Sequence, residues 1–122
     1  MAAKRILIVD DDEKMLRLFG DFLLKEGFET ITANNGNDGI RLAIEKIPDL
    51  IILDVMMPGK GGGEVGNELL NNDKTRNIPI IFLTSLVSEA EVGKSGNKIA
   101  GRLYLSKSTD KKEIIKKIKE II

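Results

Sequence analysis

The sequence contains no cysteine. That excludes disulfides, thiolate catalysis and thiolate metal sites, and it is compatible with a reducing, cytoplasmic setting. Histidine is missing as well. Imidazole therefore cannot serve as base, phosphocarrier or metal ligand, and any metal must be held by oxygen, which points to Mg²⁺, Mn²⁺ or Ca²⁺. There is no net charge, since 19 basic residues balance 19 acidic ones, so no overall field draws the chain to nucleic acid or an acidic membrane. Long hydrophobic runs are also lacking. The amino terminus, MAAKRILIVDDD, has a four-residue apolar stretch before three acids, too short for a signal peptide or a membrane span.

What is present suits one domain, residues 1–122, with one core: 42% of the chain is hydrophobic, and a domain of this size buries roughly two thirds of its unfolded surface. No linker-like tract, internal repeat or low-complexity segment marks a second one. The central stretch is Asp49 to Gly59, DLIILDVMMPG. Its apolar run, Leu50 to Leu53, ends in Asp54 and is turned by Pro58 and Gly59, the pattern of a strand buried on both faces of a parallel sheet. Ligands of such sheets sit at the carboxyl ends of the strands. An Asp in that position is ordinarily only a turn residue, so Asp54 gains interest through the rest of the chain.

Ile6 to Val9 reads as a first central strand ending in Asp10, Asp11 and Asp12. Met15, Leu18, Phe19, Phe22 and Leu23 form one apolar stripe on a helix stopped by Gly27. Phe28 to Thr32 alternates, predicting a strand near an edge; Ile40, Ala43, Ile44 and Ile47 predict a second helix ended by Pro48. After the third strand come five glycines between Gly59 and Gly66 and a weak helix around Glu64 to Asn71. Ile80 to Leu83 is a fourth strand ending in Thr84 and Ser85. Ser88 to Ala100 is read as a glycine-weakened helix, and Leu103 to Leu105 as a fifth strand leading to Ser106-Lys107-Ser108. Ile114, Ile115, Ile118, Ile121 and Ile122 stripe a last helix whose lysines are most simply a solvated face. Alternating strands and helices mean βα repeats, and right-handed crossovers make of them a three-layer, doubly wound α/β sandwich.

The strand ends together offer Asp10, Asp11 and Asp12, then Asp54, Thr84 and Lys107. Clustered carboxylates repel one another unless a cation is present, and Mg²⁺ accepts such oxygens while keeping room for a phosphate oxygen. A carboxylate in that setting can act as nucleophile and become an aspartyl phosphate. A lysine and a hydroxyl then supply the electrostatic stabilisation that phosphoryl transfer requires.

VDDDE after strand one, LDVMMPG at strand three, FLTS at strand four and YLSK at strand five make the whole chain resemble the receiver domain of bacterial two-component response regulators. The resemblance implies a flavodoxin-like (βα)5 fold with sheet order 2-1-3-4-5. It implies phosphorylation of Asp54, with Mg²⁺ (Mn²⁺ as the alternative) held by Asp10, Asp11, Asp54 and the backbone carbonyl of Met56, while Thr84 and Lys107 contact the phosphoryl group. Tyr104, by residue type a packing residue with a wet hydroxyl, becomes an aromatic switch coupled to Thr84. The surface of the fourth helix, fifth strand and fifth helix would then be read by a downstream partner or form a dimer. The donor would be a histidine kinase, a phosphotransfer protein or a small acyl phosphate, because the chain has no His of its own. The chain would be either a stand-alone regulator or the receiver of a longer protein, without enzymatic activity beyond its own phosphorylation and dephosphorylation.

Several positions depart from the family pattern. Ser108 stands where a cis proline usually follows the lysine, predicting a trans bond or a strained cis one, since a cis bond before a non-proline costs about 2.5 to 4 kcal/mol. Gly61, Gly62 and Gly63 replace an Asp-Gly pair, predicting a looser start to the third helix. Met56 and Leu86 occupy the positions that flank the hydrolytic water in the family, and neither side chain orients water well, which predicts slow self-dephosphorylation. Asp12 is expected to cap the first helix rather than bind metal. Three other readings compete. Gly61, Gly63 and Gly66 fit GxGxxG but follow the wrong strand for a dinucleotide site. A haloacid-dehalogenase-type phosphatase using Asp10 lacks its Thr, where this chain has Lys14. A pseudo-receiver that binds partners without phosphorylation would have no need of the intact acids, Thr84 and Lys107.

Overall fold

Side chains along a strand point alternately to opposite faces, and here both faces are apolar. The computed structural model describes residues 3–85, 97–99 and 102–122. Within them lie strands β1 (Arg5–Val9), β2 (Glu29–Ala33), β3 (Leu50–Asp54), β4 (Ile80–Thr84), β5 (Asn97–Ile99) and β6 (Arg102–Ser106). The helices are α1 (Glu13–Lys25), α2 (Gly36–Lys46), α3 (Gly62–Leu70) and α4 (Lys111–Ile121). Ile6, Ile8, Leu50, Ile52, Ile81, Leu83, Leu103 and Leu105 bury one face against α1 and α4. Leu7, Val9, Ile51, Leu53 and Phe82 bury the other against Ala43 of α2 and Val65 and Leu69 of α3. Each large apolar side chain removed from water contributes roughly 1.5–3 kcal/mol, so three layers follow from the two-faced strands.

The sheet order is β2-β1-β3-β4-β6-β5, and all neighbours are parallel except β5 and β6. The five parallel strands thus have the order 2-1-3-4-5 expected from the sequence, with β6 as the fifth of them. β2 is an edge strand, as expected, with Glu29 and Thr32 exposed and Ala33 buried. The antiparallel strand β5 is a correction: Asn97–Ile99 falls inside the stretch read as a helix from Ser88 to Ala100. The remainder of that expected helix, and Leu86, lie outside the described residues. No helix among the described residues is long and apolar enough to cross a membrane.

Local chemistry sets the helix ends. Asp12 caps α1 by accepting from the Lys14 amide at 2.9 Å, and Asn35 caps α2 through the Asp38 amide at 2.9 Å. Pro48 disfavours the helical conformation for the residue before it. Ile47 accordingly turns left-handed (φ 45°) and is 47% exposed, so it leaves the buried stripe that its spacing suggested. Ile121, placed on the last helix's stripe, is exposed too. α3 begins two residues earlier than its apolar pattern indicates, because its amino end is fastened by backbone: the Gly62 amide donates to Val55 O at 2.9 Å.

Candidate functional site

β1 and β3 are neighbours whose helices pack on opposite faces, and crevices for ligands open where strand order reverses in this way. Asp10 immediately follows β1, and Asp54 ends β3. Both carboxylates are buried, each only 4% exposed. Asp11 is exposed beside them, and one oxygen from each of Asp10, Asp11 and Asp54 lies within 4.8 Å of the others. Burial of so much like charge needs a counter-charge. Lys107, in the turn after β6, provides it: its Nζ is 3.0 Å from Asp10 Oδ2 and 3.3 Å from Asp54 Oδ1.

Backbone donors complete the carboxylates' partners. Asp10 Oδ1 accepts from the Asp12 amide at 2.9 Å, and Asp54 Oδ1 accepts from the Met56 amide at 3.4 Å. Burial, and next the negative charge of Asp10, push the Asp54 carboxyl up from 3.8 to about 6, although Lys107 and the Met56 amide pull the other way. Burial alone would lower the Lys107 ammonium, but its contacts with Asp10 and then Asp54 outweigh this and hold it above its ordinary value. Such perturbed groups, paired with each other in one cleft, are a mark of functional sites.

The strand ends beyond β3 are tied to one another. Val55 N donates to Leu83 O at 3.2 Å, and Lys107 N donates to Thr84 O at 2.9 Å. Thr84 is buried at the end of β4, opposite Ser106 in the β4–β6 register. Tyr104, half-buried on β6, stacks on Phe82 of β4 with ring centroids 4.9 Å apart. The Lys107–Ser108 peptide is trans, the first of the two alternatives expected from the missing proline. Met56 exposes its side chain, at 58%, beside the site. The Asp12 carboxylate is engaged as the α1 cap, as expected.

Three all-oxygen donors at this spacing fit a hard divalent cation of the Mg²⁺ type, and the two buried carboxylates among them, when ionised, carry more charge than Lys107 neutralises. Two supports were not foreseen from the sequence. One is the hydroxyl pair of Ser106 and Ser108 on either side of the lysine, 2.7 Å apart; the i, i+2 serines of a tight turn were its only signal. The other is Gly62, where an added Cβ would lie 2.3 Å from the carbonyl oxygen of Asp54. Glycine there lets α3 press on the loop that follows Asp54.

Residues 6–119 match the family model of the response regulator receiver domain. The chain belongs to the response regulator receiver domain family. It is 34% identical to protein PilH of Pseudomonas aeruginosa over 119 residues, 97% of each chain. Among solved structures, the response regulator TrrA of Thermotoga maritima, in complex with Mg²⁺ and BeF, is 33% identical with a TM-score of 0.81, covering 98% of this chain and 99% of that one. The chemotaxis protein CheY4 of Vibrio cholerae is 25% identical with a TM-score of 0.84, covering 99% of this receiver and 100% of its own chain.

Proposed function

We propose that this receiver domain is a phosphorylation switch in two-component signalling, with Asp54 as phosphoacceptor. The observation that carries the reading is the meeting of buried Asp54 with Asp10, Asp11 and Lys107 at the carboxyl edge of the sheet. Asp10, Asp11 and Asp54, with the Met56 carbonyl, would hold Mg²⁺, or Mn²⁺ in its place; the Mg²⁺–BeF complex of the Thermotoga relative supports this assignment. When bound, the ion supplies positive charge where phosphoryl oxygens gather.

The chain's own residues do the remainder. An Asp54 carboxylate oxygen attacks phosphorus, forming a P–O bond while the donor's P–N bond to imidazole, or P–O bond to an acyl group, breaks and the leaving group departs with the electron pair. Asp54 must be ionised to attack, and its value of about 6 leaves it largely so at pH 7.5. Lys107 follows the charge from the carboxylate to the phosphoryl oxygens, and the Thr84 hydroxyl donates to another of them, the electrostatic support that phosphoryl transfer mainly needs. As Thr84 moves toward the phosphoryl group, Tyr104 shifts inward and β6 and its flanks change shape, a two-state response to a local charge change.

The donor is a histidine kinase, a phosphotransfer protein or a small acyl phosphate, and the reader is a downstream protein or a second copy meeting the β6–α4 side. The setting is the cytoplasm, and the chain catalyses only its own modification. Exposed Met56 offers at most a weak acceptor for a hydrolytic water, which favours a long-lived phosphorylated state. Intact mass after incubation with acetyl phosphate and Mg²⁺ tests the reading on wild type and Asp54→Ala. One phosphoryl group should appear, require Mg²⁺ and be lost in the variant. No adduct under any condition would support the pseudo-receiver, and phosphate release that survives Asp54→Ala but not Asp10→Ala would support the phosphatase.

A further inference from the structure

The amine of Lys107 is useful only if its loop aims it, and that loop has no proline to stiffen it. A residue other than proline at position 108 brings an amide N–H that needs a partner. Here the partner is a buried side chain: Ser108 N donates to Ser106 Oγ at 3.1 Å, and the Ser106 and Ser108 hydroxyls are 2.7 Å apart. Ser106 is 1% exposed. The same turn is closed by Thr109 N to Ser106 O at 3.0 Å, and its start is fastened by Lys107 N to Thr84 O at 2.9 Å. The peptide units on both sides of Lys107 are therefore fixed, one by β4 and the other by the Ser106 hydroxyl.

We propose that Ser106 and Ser108 form a hydroxyl clamp in which Ser106 is a positioning residue, holding the trans Lys107–Ser108 peptide so that the lysine amine spans Asp10 and Asp54. The clamp takes the place of the ring constraint that a proline would impose. It makes two demands that a purely structural turn does not. The hydroxyl at 106 has to be buried beside the strand end, and its loss has to be felt at the lysine amine rather than throughout the fold.

The test has two arms, and only the kinetic one rests on the phosphoacceptor reading. In the first, full-length protein is reductively methylated with formaldehyde and cyanoborohydride, and labelling is followed peptide by peptide by mass spectrometry. Ser106→Ala should raise the labelling rate of Lys107 about fivefold, the equivalent of about 1 kcal/mol for one lost hydrogen bond, with Lys14 and Lys112 unchanged as internal references. Ser108→Ala, at an exposed position that does not threaten folding, should give a smaller rise in the same direction. Ser108→Thr, which retains the hydroxyl, should return Lys107 to the wild-type rate. In the second arm, the maximal rate of phosphorylation by acetyl phosphate should fall with Ser106→Ala by a similar factor while its half-saturating concentration stays put.

Unchanged Lys107 labelling in both alanine variants overturns the clamp, and so does a rise shared equally by all lysines, which reports general loosening. A wild-type protein that takes no phosphoryl group overturns the functional reading alone, and the labelling arm then decides the clamp by itself.

Discussion

Replacing Asp54, the proposed acceptor, by its neutral isostere, Asp54→Asn, should make the protein more stable at pH 7.5. Asp54 is buried, and its carboxyl titrates at about 6 against an ordinary 3.8, raised by burial first and by Asp10 second. Between those two values the folded chain binds more protons than the unfolded one, so stability falls as pH rises through the window. The stabilisation is complete below 3.8 and has gone above about 6. At 1.36 kcal/mol per pH unit, ionised Asp54 costs at most about 3 kcal/mol at pH 7.5 relative to its neutral form. Asparagine keeps the shape and an acceptor oxygen for the Met56 amide and Lys107, and Lys107 retains Asp10.

Urea unfolding in the presence of a chelator at pH 7.5, 5 and 3.5 measures this directly. The gain from Asp54→Asn should approach 3 kcal/mol at pH 7.5 as an upper bound, shrink at pH 5 and vanish at pH 3.5. Mg²⁺ at a hundred times its Kd for wild type stabilises that protein by about 2.7 kcal/mol, and it should narrow the gap at pH 7.5 by up to that amount, because the variant binds the ion more weakly. A loss of stability at pH 7.5, or a gain independent of pH, would refute the claim that the site holds Asp54 at an electrostatic cost.

Other outcomes follow from the same geometry. Gly62→Ala should destabilise by about 1–3 kcal/mol, because its Cβ meets the Asp54 carbonyl oxygen at 2.3 Å. Gly63→Ala, with open space around it, should stabilise by about 0.4–1 kcal/mol in the same unfolding assay. Lys107→Ala should raise the Asp54 carboxyl above about 6, read by carboxyl NMR, and slow phosphorylation by acetyl phosphate about 10²–10³-fold as one charge-stabilising donor is lost. Tyr104 is the only tyrosine and there is no tryptophan, so intrinsic fluorescence excited at tyrosine wavelengths should change on phosphorylation as the ring leaves its stack on Phe82. An unchanged spectrum in fully phosphorylated protein would rule out the switch. Phosphorylated wild type should persist well beyond seconds, and Met56→Asn should shorten its lifetime by offering water a polar partner.

The fold was readable wherever a strand is buried on both faces. Leu50–Leu53 and Ile6–Val9 have no polar residue to leave their placement open, and these runs, with three further strands and the helical stripes between them, admit few topologies. β5 was not readable. Its three residues, Asn-Lys-Ile, have neither length nor alternation, and its strand character comes from pairing with β6 two residues further on. The spacing that put Ile47 on a buried stripe failed for a local reason, the exclusion of helical backbone before Pro48.

The site divides along a different line. Asp10 and Asp54 stood out because each places a charge at the end of an apolar run, Ile6–Val9 or Leu50–Leu53, and a fold that needed only stability would have no reason to bury them; Lys107 stood out as the cation after the last strand. Their supports carry no such contradiction. A serine in a turn and a glycine before a helix are ordinary choices, and only the 2.7 Å between the Ser106 and Ser108 hydroxyls, or the 2.3 Å that a Gly62 side chain would leave to Asp54, reveals what they hold. Charge at a strand end is thus visible in one dimension because its cost is intrinsic to the residue. Positioning is invisible there because it belongs to pairs, and the partners of Lys107 lie on three different strand ends.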